Sequence, residues 1–349
     1  MSLRDSQPKK PRKQRTVKQR SAKQRWLLRI SYIGYVVLLL YGGVRLFFWI
    51  RYERGSRGPV TSVERVWRHH YRELWDDKLF DVNPSLTDDR YDVLLLGGSV
   101  AEQTAAELRT ELQAHTSLKV RVHCVARAAH NSRDSAIKFD RLDDKEFDCV
   151  IVYNGINDVP MNYIADSEYR DDYTHCGWYE SFQRRLKTGR ISITEISSDL
   201  VTIGRQPEQA KMKFGDKIKT GNAFRSNLES ITSRAQKNGS TVILMSFASY
   251  IPTDYSMARF RAGELDYTVG QYDMPVETWG RPKDIPRILS VQNRVAETLA
   301  KRHKTVWVDQ SQLLQGKTYF CDVCHLSQAG CEQFARNTVA ALRAQTNFK

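Results

Sequence analysis

The stretch that most restricts the possible folds is Asp92-Val-Leu-Leu-Leu-Gly-Gly-Ser-Val-Ala-Glu102. Val93 to Leu96 is an unbroken apolar run, and such a run without polar alternation fits a strand covered on both faces, as in a parallel sheet. Gly97 and Gly98 permit a sharp turn with close backbone approach. Ser99 then stands at the carboxyl edge of a strand and the amino end of a helix-compatible stretch, Val100 to Ala114. Free backbone N–H groups and the helix dipole favour developing negative charge there, which suits a nucleophile. A serine that merely caps a helix would read the same way, so this stretch alone leaves both roles open.

The pattern then repeats. Strands are expected at Val93–Leu96, Val120–Val125, Cys149–Tyr153, Thr241–Phe247 and Thr305–Val308, and helices at Val100–Ala114, Ser132–Leu142, Ala223–Lys237, Asp284–Arg302 and about Cys331–Leu342. Alternation of strand and helix specifies an α/β protein with a parallel sheet. Two long stretches break it, at about 161–220 and 250–283. Both are polar and aromatic, and insertions at a sheet end are a common seat of substrate specificity. The run Lys211–Lys219 and the pair His69-His70 are expected on solvated faces, since adjacent helical residues point to different sides.

Charge separates the N-terminus from the body. Residues 1–58 hold fifteen Lys/Arg against two acids, Asp5 and Glu53, so they carry +13 of the net +14 and the rest of the chain carries +1. A nucleic-acid-binding domain would spread its charge over a folded face, so a nucleic-acid partner is not expected. Residues 1–25 are expected to be a basic cytoplasmic tail. Ile30–Ile50 is uncharged but for Arg45, and its 21 residues would span about 30 Å as a helix, the thickness of a bilayer core. Arg45 is near enough to one end to snorkel, and Trp26, Tyr32, Phe47, Phe48, Trp49 and Tyr52 supply interfacial aromatics. No small-x-small cleavage site follows in Arg51-Tyr-Glu-Arg-Gly-Ser. The expected plan is therefore a tail at 1–25, a single-pass anchor at 26–50, a stem or linker at 51–90 with a helix over Ser62–Leu79, and a domain at 91–349. The positive-inside rule puts that domain on the extracytoplasmic face of the cytoplasmic (inner) membrane, on the periplasmic side. The sequon Asn238-Gly-Ser keeps a secretory-pathway lumen open as an alternative.

Two further stretches could carry chemistry. Tyr153-Asn-Gly-Ile-Asn-Asp158 ends the third strand and delivers Asn157 to the same sheet edge as Ser99, where its amide could donate to an oxyanion or simply close an Asx turn. Cys321-Asp-Val-Cys-His-Leu-Ser-Gln-Ala-Gly330 places Asp322 and His325 three apart. On one helical turn they face the same way, so the carboxylate could hold the imidazole as a general base for Ser99. Cys321-x-x-Cys324-His325 also fits c-type haem attachment, and Cys321, Cys324, His325 and Cys331 could hold zinc. In an oxidising compartment, pairing among Cys176, Cys321, Cys324 and Cys331 is plausible, whereas Cys124 and Cys149 fit buried thiols.

Taken together, these stretches resemble the SGNH (GDSL-like) hydrolase family over roughly residues 91–345. Gly97-Gly98-Ser99 resembles the first block, with Gly98 where an Asp often stands and Ser99 at the nucleophile. Gly155-Ile-Asn157-Asp158 resembles the Gly-x-Asn-Asp block and assigns Asn157 as an oxyanion donor, with Gly98, Gly155 and Asp158 in support. Asp322-Val-Cys-His325 resembles the Asp-x-x-His block and assigns His325 as base and Asp322 as its orienter. In the second block Ala129 stands where a glycine is usual, and Ala resists a positive φ. The resemblance implies a flavodoxin-like three-layer sandwich of about five parallel strands, with catalytic Ser99, Asp322 and His325, and an oxyanion hole from Ser99, Ala129 and Asn157. It implies a serine esterase working through an acyl-enzyme, with no cofactor and no metal. An O-acyltransferase using the same site is an alternative, as is a non-catalytic glycan-binding module, whose main support is the missing glycine at 129. The membrane tether and the insertion aromatics Tyr173, Trp178, Tyr179, Tyr267, Tyr272 and Trp279 suggest an acylated glycan or lipid as substrate, although each ring could equally pack in a core.

Overall fold

The computed structural model describes residues 22–53, 60–76, 79, 84–86, 89–189 and 209–348. The basic tail expected at 1–25 and the middle of the first insertion therefore lie largely outside the described residues. The chain divides into two units, Met1–Val60 and Thr61–Lys349.

In the first unit, a helix over Ala22–Phe48 continues into a π-helical turn at Trp49–Glu53. Its stretch Trp26–Arg51 has a mean hydropathy of 1.8 and is long and apolar enough to cross a membrane. Leu38, Leu40, Tyr32 and Tyr41 are all more than 60% exposed.

In the second unit, five strands form one parallel sheet: β1 Arg90–Gly97, β2 Lys119–Cys124, β3 Cys149–Tyr153, β4 Thr241–Met245 and β5 Val306–Val308. Their spatial order is β2-β1-β3-β4-β5, the flavodoxin-like order, whose ligand crevice opens at the carboxyl ends of β1 and β3. The strand periodicity explains the run at residues 93–96. Val93 and Leu95 pack into the core on one face of the sheet, while Leu94 and Leu96 pack into the other. The first face is covered by the helices Ser99–Gln113 and Gln328–Gln345, and the second by Ser132–Arg141, Gly221–Lys237 and much of Ile285–His303. The result is a three-layer sandwich.

The segment ahead of β1 differs from the single helix expected over Ser62–Leu79. Thr61 caps a helix over Ser62–His70, Tyr71 leaves it with φ −136° and ψ 59°, and a second short turn covers Glu73–Asp76. Tertiary contacts account for the break. The buried Tyr71 donates its hydroxyl to Asp134 Oδ1 at 3.0 Å, and its ring meets Phe182 edge-on. Val66, Leu74 and Leu79 are buried in the same core.

The solvated face expected for His69-His70 is corrected, whereas in the run Lys211–Lys219 the side chains of Lys211, Lys213 and Lys217 are exposed as expected and Lys219 departs. His70 is buried, lies 4.4 Å from the Trp178 ring, and accepts a hydrogen bond from Arg185 Nη1 at 3.0 Å. Burial pushes its pKa down to about 2, so it is a neutral acceptor. The Lys219 side chain is only 6% exposed, and its ammonium reaches the Ile164 carbonyl and Asp166 Oδ1. In both cases an insertion residue supplies the neighbours, which periodicity within one element cannot reveal.

Candidate active site

Parallel register builds the site from strand ends. Gly97 pairs with Tyr153 across β1 and β3, so the segments that follow both strands emerge side by side. Gly97 is required there: a Cβ would lie 2.4 Å from the Tyr153 carbonyl oxygen. Gly98 precedes the helix and Ser99 occupies its first turn, where N–H groups have no intrahelical acceptor. Asn157 sits in a 3₁₀ segment, Ile156–Tyr163. Gly155 admits no side chain, because a Cβ would meet the Phe247 side chain at 2.6 Å.

Ser99, Asp322 and His325 come together. Ser99 Oγ lies 2.8 Å from His325 Nε2, and His325 Nδ1 lies 2.6 Å from Asp322 Oδ2. Asp322 Oδ2 can only accept, so Nδ1 carries the proton and Nε2 is free to accept from the serine hydroxyl. The three are 6%, 0% and 3% exposed for Ser99, Asp322 and His325, which strengthens each contact relative to water. Asp322 and His325 do not lie on a helical turn, as their spacing suggested. They sit in a bent loop closed by a bridge between Phe320 and Leu326. Asp322 Oδ1 itself shapes the loop, accepting the N–H groups of Cys324 at 2.9 Å and His325 at 2.8 Å.

Ala129 has φ +64°. It adopts the left-handed conformation that its side chain disfavours by about 1–2 kcal/mol. The loop is held from behind. His130 Nδ1 and the buried Lys138 ammonium both approach the Glu73 carboxylate, at 3.3 and 3.4 Å, and Lys138 also donates to the Val125 carbonyl. Burial pushes the Glu73 carboxyl up, but Lys138 and His130 outweigh it and hold it at about 2. Asn157 Nδ2 donates to the His130 carbonyl at 2.8 Å, joining the β2 and β3 loops.

Asp158 faces away from this edge. Its carboxylate accepts from Ser132 N at 3.0 Å, Ser132 Oγ at 2.6 Å and Tyr173 Oη at 2.9 Å. Burial pushes its pKa up to about 6 against these donors. It ties the first insertion to the body. Tyr173 and Tyr179 are likewise buried, with the Tyr179 hydroxyl on Asn131 and Asp134, so neither ring offers a face to a sugar.

The second insertion, in contrast, reaches the site. Tyr272 stacks on His325, Trp279 donates Nε1–H to Asn157 Oδ1 at 3.0 Å, and Met274 N donates to Asp322 Oδ2 at 3.2 Å. Gln103, one turn beyond Ser99, was not singled out by sequence. Its amide exchanges bonds with the backbone of Leu326, with Nε2 to O at 3.4 Å and N to Oε1 at 3.3 Å. This ties the serine helix to the histidine loop; its position one turn after Ser99 was the available signal.

The cysteine expectations change. No disulfide joins Cys176, Cys321, Cys324 and Cys331. Among the described residues, one group of His, Cys and carboxylate side chains is close enough to share an ion: Asp322, Cys324 and His325, with ligand atoms within 4.8 Å. Cys321 and Cys331 are not part of it. Burial first, and the Asp322 charge second, push the Cys324 thiol well up. Both His325 nitrogens are engaged, so neither a zinc ion nor a haem iron could take one without breaking a contact to Ser99 or Asp322.

No family model and no curated protein matches the chain. Solved structures are similar to it at low identity. A GDSL-like lipase from Bacteroides thetaiotaomicron is 15% identical with a TM-score of 0.48, covering 80% of this chain and 99% of that one. A putative acylhydrolase from Bacteroides fragilis is 13% identical with a TM-score of 0.47, covering 80% and 98%. An acetylxylan esterase from Geobacillus stearothermophilus is 16% identical with a TM-score of 0.40, covering 72% and 94%. The sheet order β2-β1-β3-β4-β5, all parallel, makes the second unit a flavodoxin-like α/β sandwich.

Proposed function

We propose that this chain is a membrane-anchored serine esterase that cleaves an ester of an acylated glycan or lipid through an acyl-enzyme. The observation that carries the reading is the continuous contact from Ser99 Oγ to His325 Nε2 at 2.8 Å and from His325 Nδ1 to Asp322 Oδ2 at 2.6 Å. Ser99 Oγ attacks the ester carbonyl carbon while His325 Nε2 takes its proton, and Asp322 stabilises the imidazolium. The carbonyl electron pair moves onto oxygen, where the N–H groups of Ser99 and Ala129 and the free N–H of Asn157 receive it. His325 then returns the proton to the departing alkoxide. Water, deprotonated by His325, attacks the acyl-enzyme and regenerates the serine. The N-terminal helix supports a single-pass anchor, and the basic tail supports an inner-membrane protein whose catalytic domain lies on the periplasmic side.

The test is hydrolysis of p-nitrophenyl acetate by the full chain in detergent micelles. Ser99→Ala is expected to lower kcat by about 10⁶-fold, to the background rate. Hydrolysis that Ser99→Ala leaves intact would overturn the assignment. A reporter fused after Lys349 tests the topology: activity of a periplasm-dependent reporter is expected, and activity only of a cytoplasmic one would contradict it.

A further inference from the structure

The second insertion supplies a tryptophan to the amide that the proposed function assigns to the oxyanion. Trp279 Nε1–H donates to Asn157 Oδ1 at 3.0 Å, while Asn157 Nδ2 donates to the His130 carbonyl at 2.8 Å. The two partners are chemically one-directional: an indole nitrogen can only donate and a backbone carbonyl can only accept. Turning the amide over would set its NH₂ against the indole N–H and its carbonyl oxygen against the His130 oxygen, two repulsive contacts in place of two hydrogen bonds. The orientation of Asn157 is therefore fixed by its neighbours. Nδ2 spends one hydrogen on His130 and keeps the second.

Space for that second hydrogen to meet a ligand comes from Gly98, since a Cβ at residue 98 would lie 2.5 Å from Asn157 Nδ2. Trp279 is itself 6% exposed, so water cannot readily replace its bond. The ring also sits 5.8 Å from that of His325, at 55°. One side chain from the 250–283 insertion thus touches both the amide and the base.

We propose that Trp279 is a positioning residue: its indole N–H holds the Asn157 amide in the one orientation that leaves an N–H for the oxyanion. This rests on the esterase reading above and adds to it a residue outside the recognised motifs. The bond acts on the tetrahedral state more than on bound substrate, because the Asn157 donor strengthens as charge develops on the carbonyl oxygen. Loss of the indole N–H should therefore fall on kcat and leave KM nearly unchanged.

The experiment compares the full chain in micelles with Trp279→Phe, Asn157→Ala and the double variant, on p-nitrophenyl acetate. Asn157→Ala is expected to lower kcat by about 10²–10³-fold, and Trp279→Phe by about tenfold, the scale of one lost hydrogen bond. If Trp279 acts through Asn157, the double variant is no slower than Asn157→Ala alone. A purely structural role gives the opposite: Trp279→Phe would cost the same factor in both backgrounds, and that result overturns the proposal. If Trp279→Phe lowers the melting temperature sharply, 3-benzothienylalanine at position 279 keeps the bicyclic shape without the N–H, and unchanged kcat in that protein also overturns it. Failure of the esterase reading is separately visible, as wild-type hydrolysis independent of Ser99, and would remove the basis for the role of Trp279 as well.

Discussion

The Tyr272 ring lies flat against the His325 imidazole, with centroids 4.0 Å apart and planes 10° from parallel. Tyr272 comes from the 250–283 insertion and His325 from the loop after β5, so the fold's most variable kind of segment meets the group proposed as base. The stack fixes the imidazole plane and covers one of its faces. Tyr272→Phe keeps the stacked ring and should retain most of kcat. Tyr272→Ala should lower kcat up to about tenfold, in line with the roughly 0.5–1.5 kcal/mol of an aromatic pair. Steady-state kinetics of the two variants on p-nitrophenyl acetate checks this.

Gly98 should tolerate no side chain without loss of activity. Its φ of −96° suits any residue, so the backbone is unstrained. A Cβ would instead lie 2.5 Å from Asn157 Nδ2 and 3.0 Å from the His130 carbonyl oxygen. Gly98→Ala is expected to push the amide aside and lower kcat by about tenfold or more, with little change in melting temperature. Unaltered kcat would show that Asn157 can move without consequence.

Ala129→Gly should leave kcat unchanged and raise stability slightly. Relief of the φ of +64° is worth about 1–2 kcal/mol, and the extra freedom of glycine in the unfolded chain takes back about 0.5–1 kcal/mol. Thermal unfolding alongside kinetics separates the two effects.

Glu73 gives a pH signature. Its folded pKa, about 2, is depressed below the ordinary 4.5 by Lys138 and His130, which outweigh burial. A depressed carboxyl pKa contributes stability above the unfolded value and loses it as pH falls toward the folded one. Glu73→Gln leaves the buried Lys138 without its counter-charge and should cost about 3–5 kcal/mol at pH 7. The gap to wild type should narrow as pH is lowered from 4.5 to 2, a comparison that melting curves of the two proteins provide. A gap independent of pH would mean that Glu73 is not ionised in its pocket.

Local pattern carried the sheet and much of the candidate site. The 93–96 run could only be a strand covered on both faces, and the strand ends placed Ser99 and Asn157 together through register alone. The Asp322–His325 contact that the spacing anticipated is made in another way: the carboxylate folds the loop around itself instead of sharing a helical face. What sequence did not show came from long-range partners. His70 looks solvated until Arg185 and Trp178 arrive from the first insertion, and Trp279 looks like a sugar platform until Asn157, 122 positions away, accepts its N–H. Contacts of this kind depend on where an insertion lands, which no periodicity encodes.

The most direct test of an activated serine is covalent. The full chain in detergent micelles would be treated with a fluorophosphonate, and the adduct located by peptide mass spectrometry. Labelling confined to Ser99 is expected, with loss of the adduct in His325→Ala. A folded, monodisperse protein that takes no label at Ser99, or labels equally well without His325, would contradict the serine mechanism.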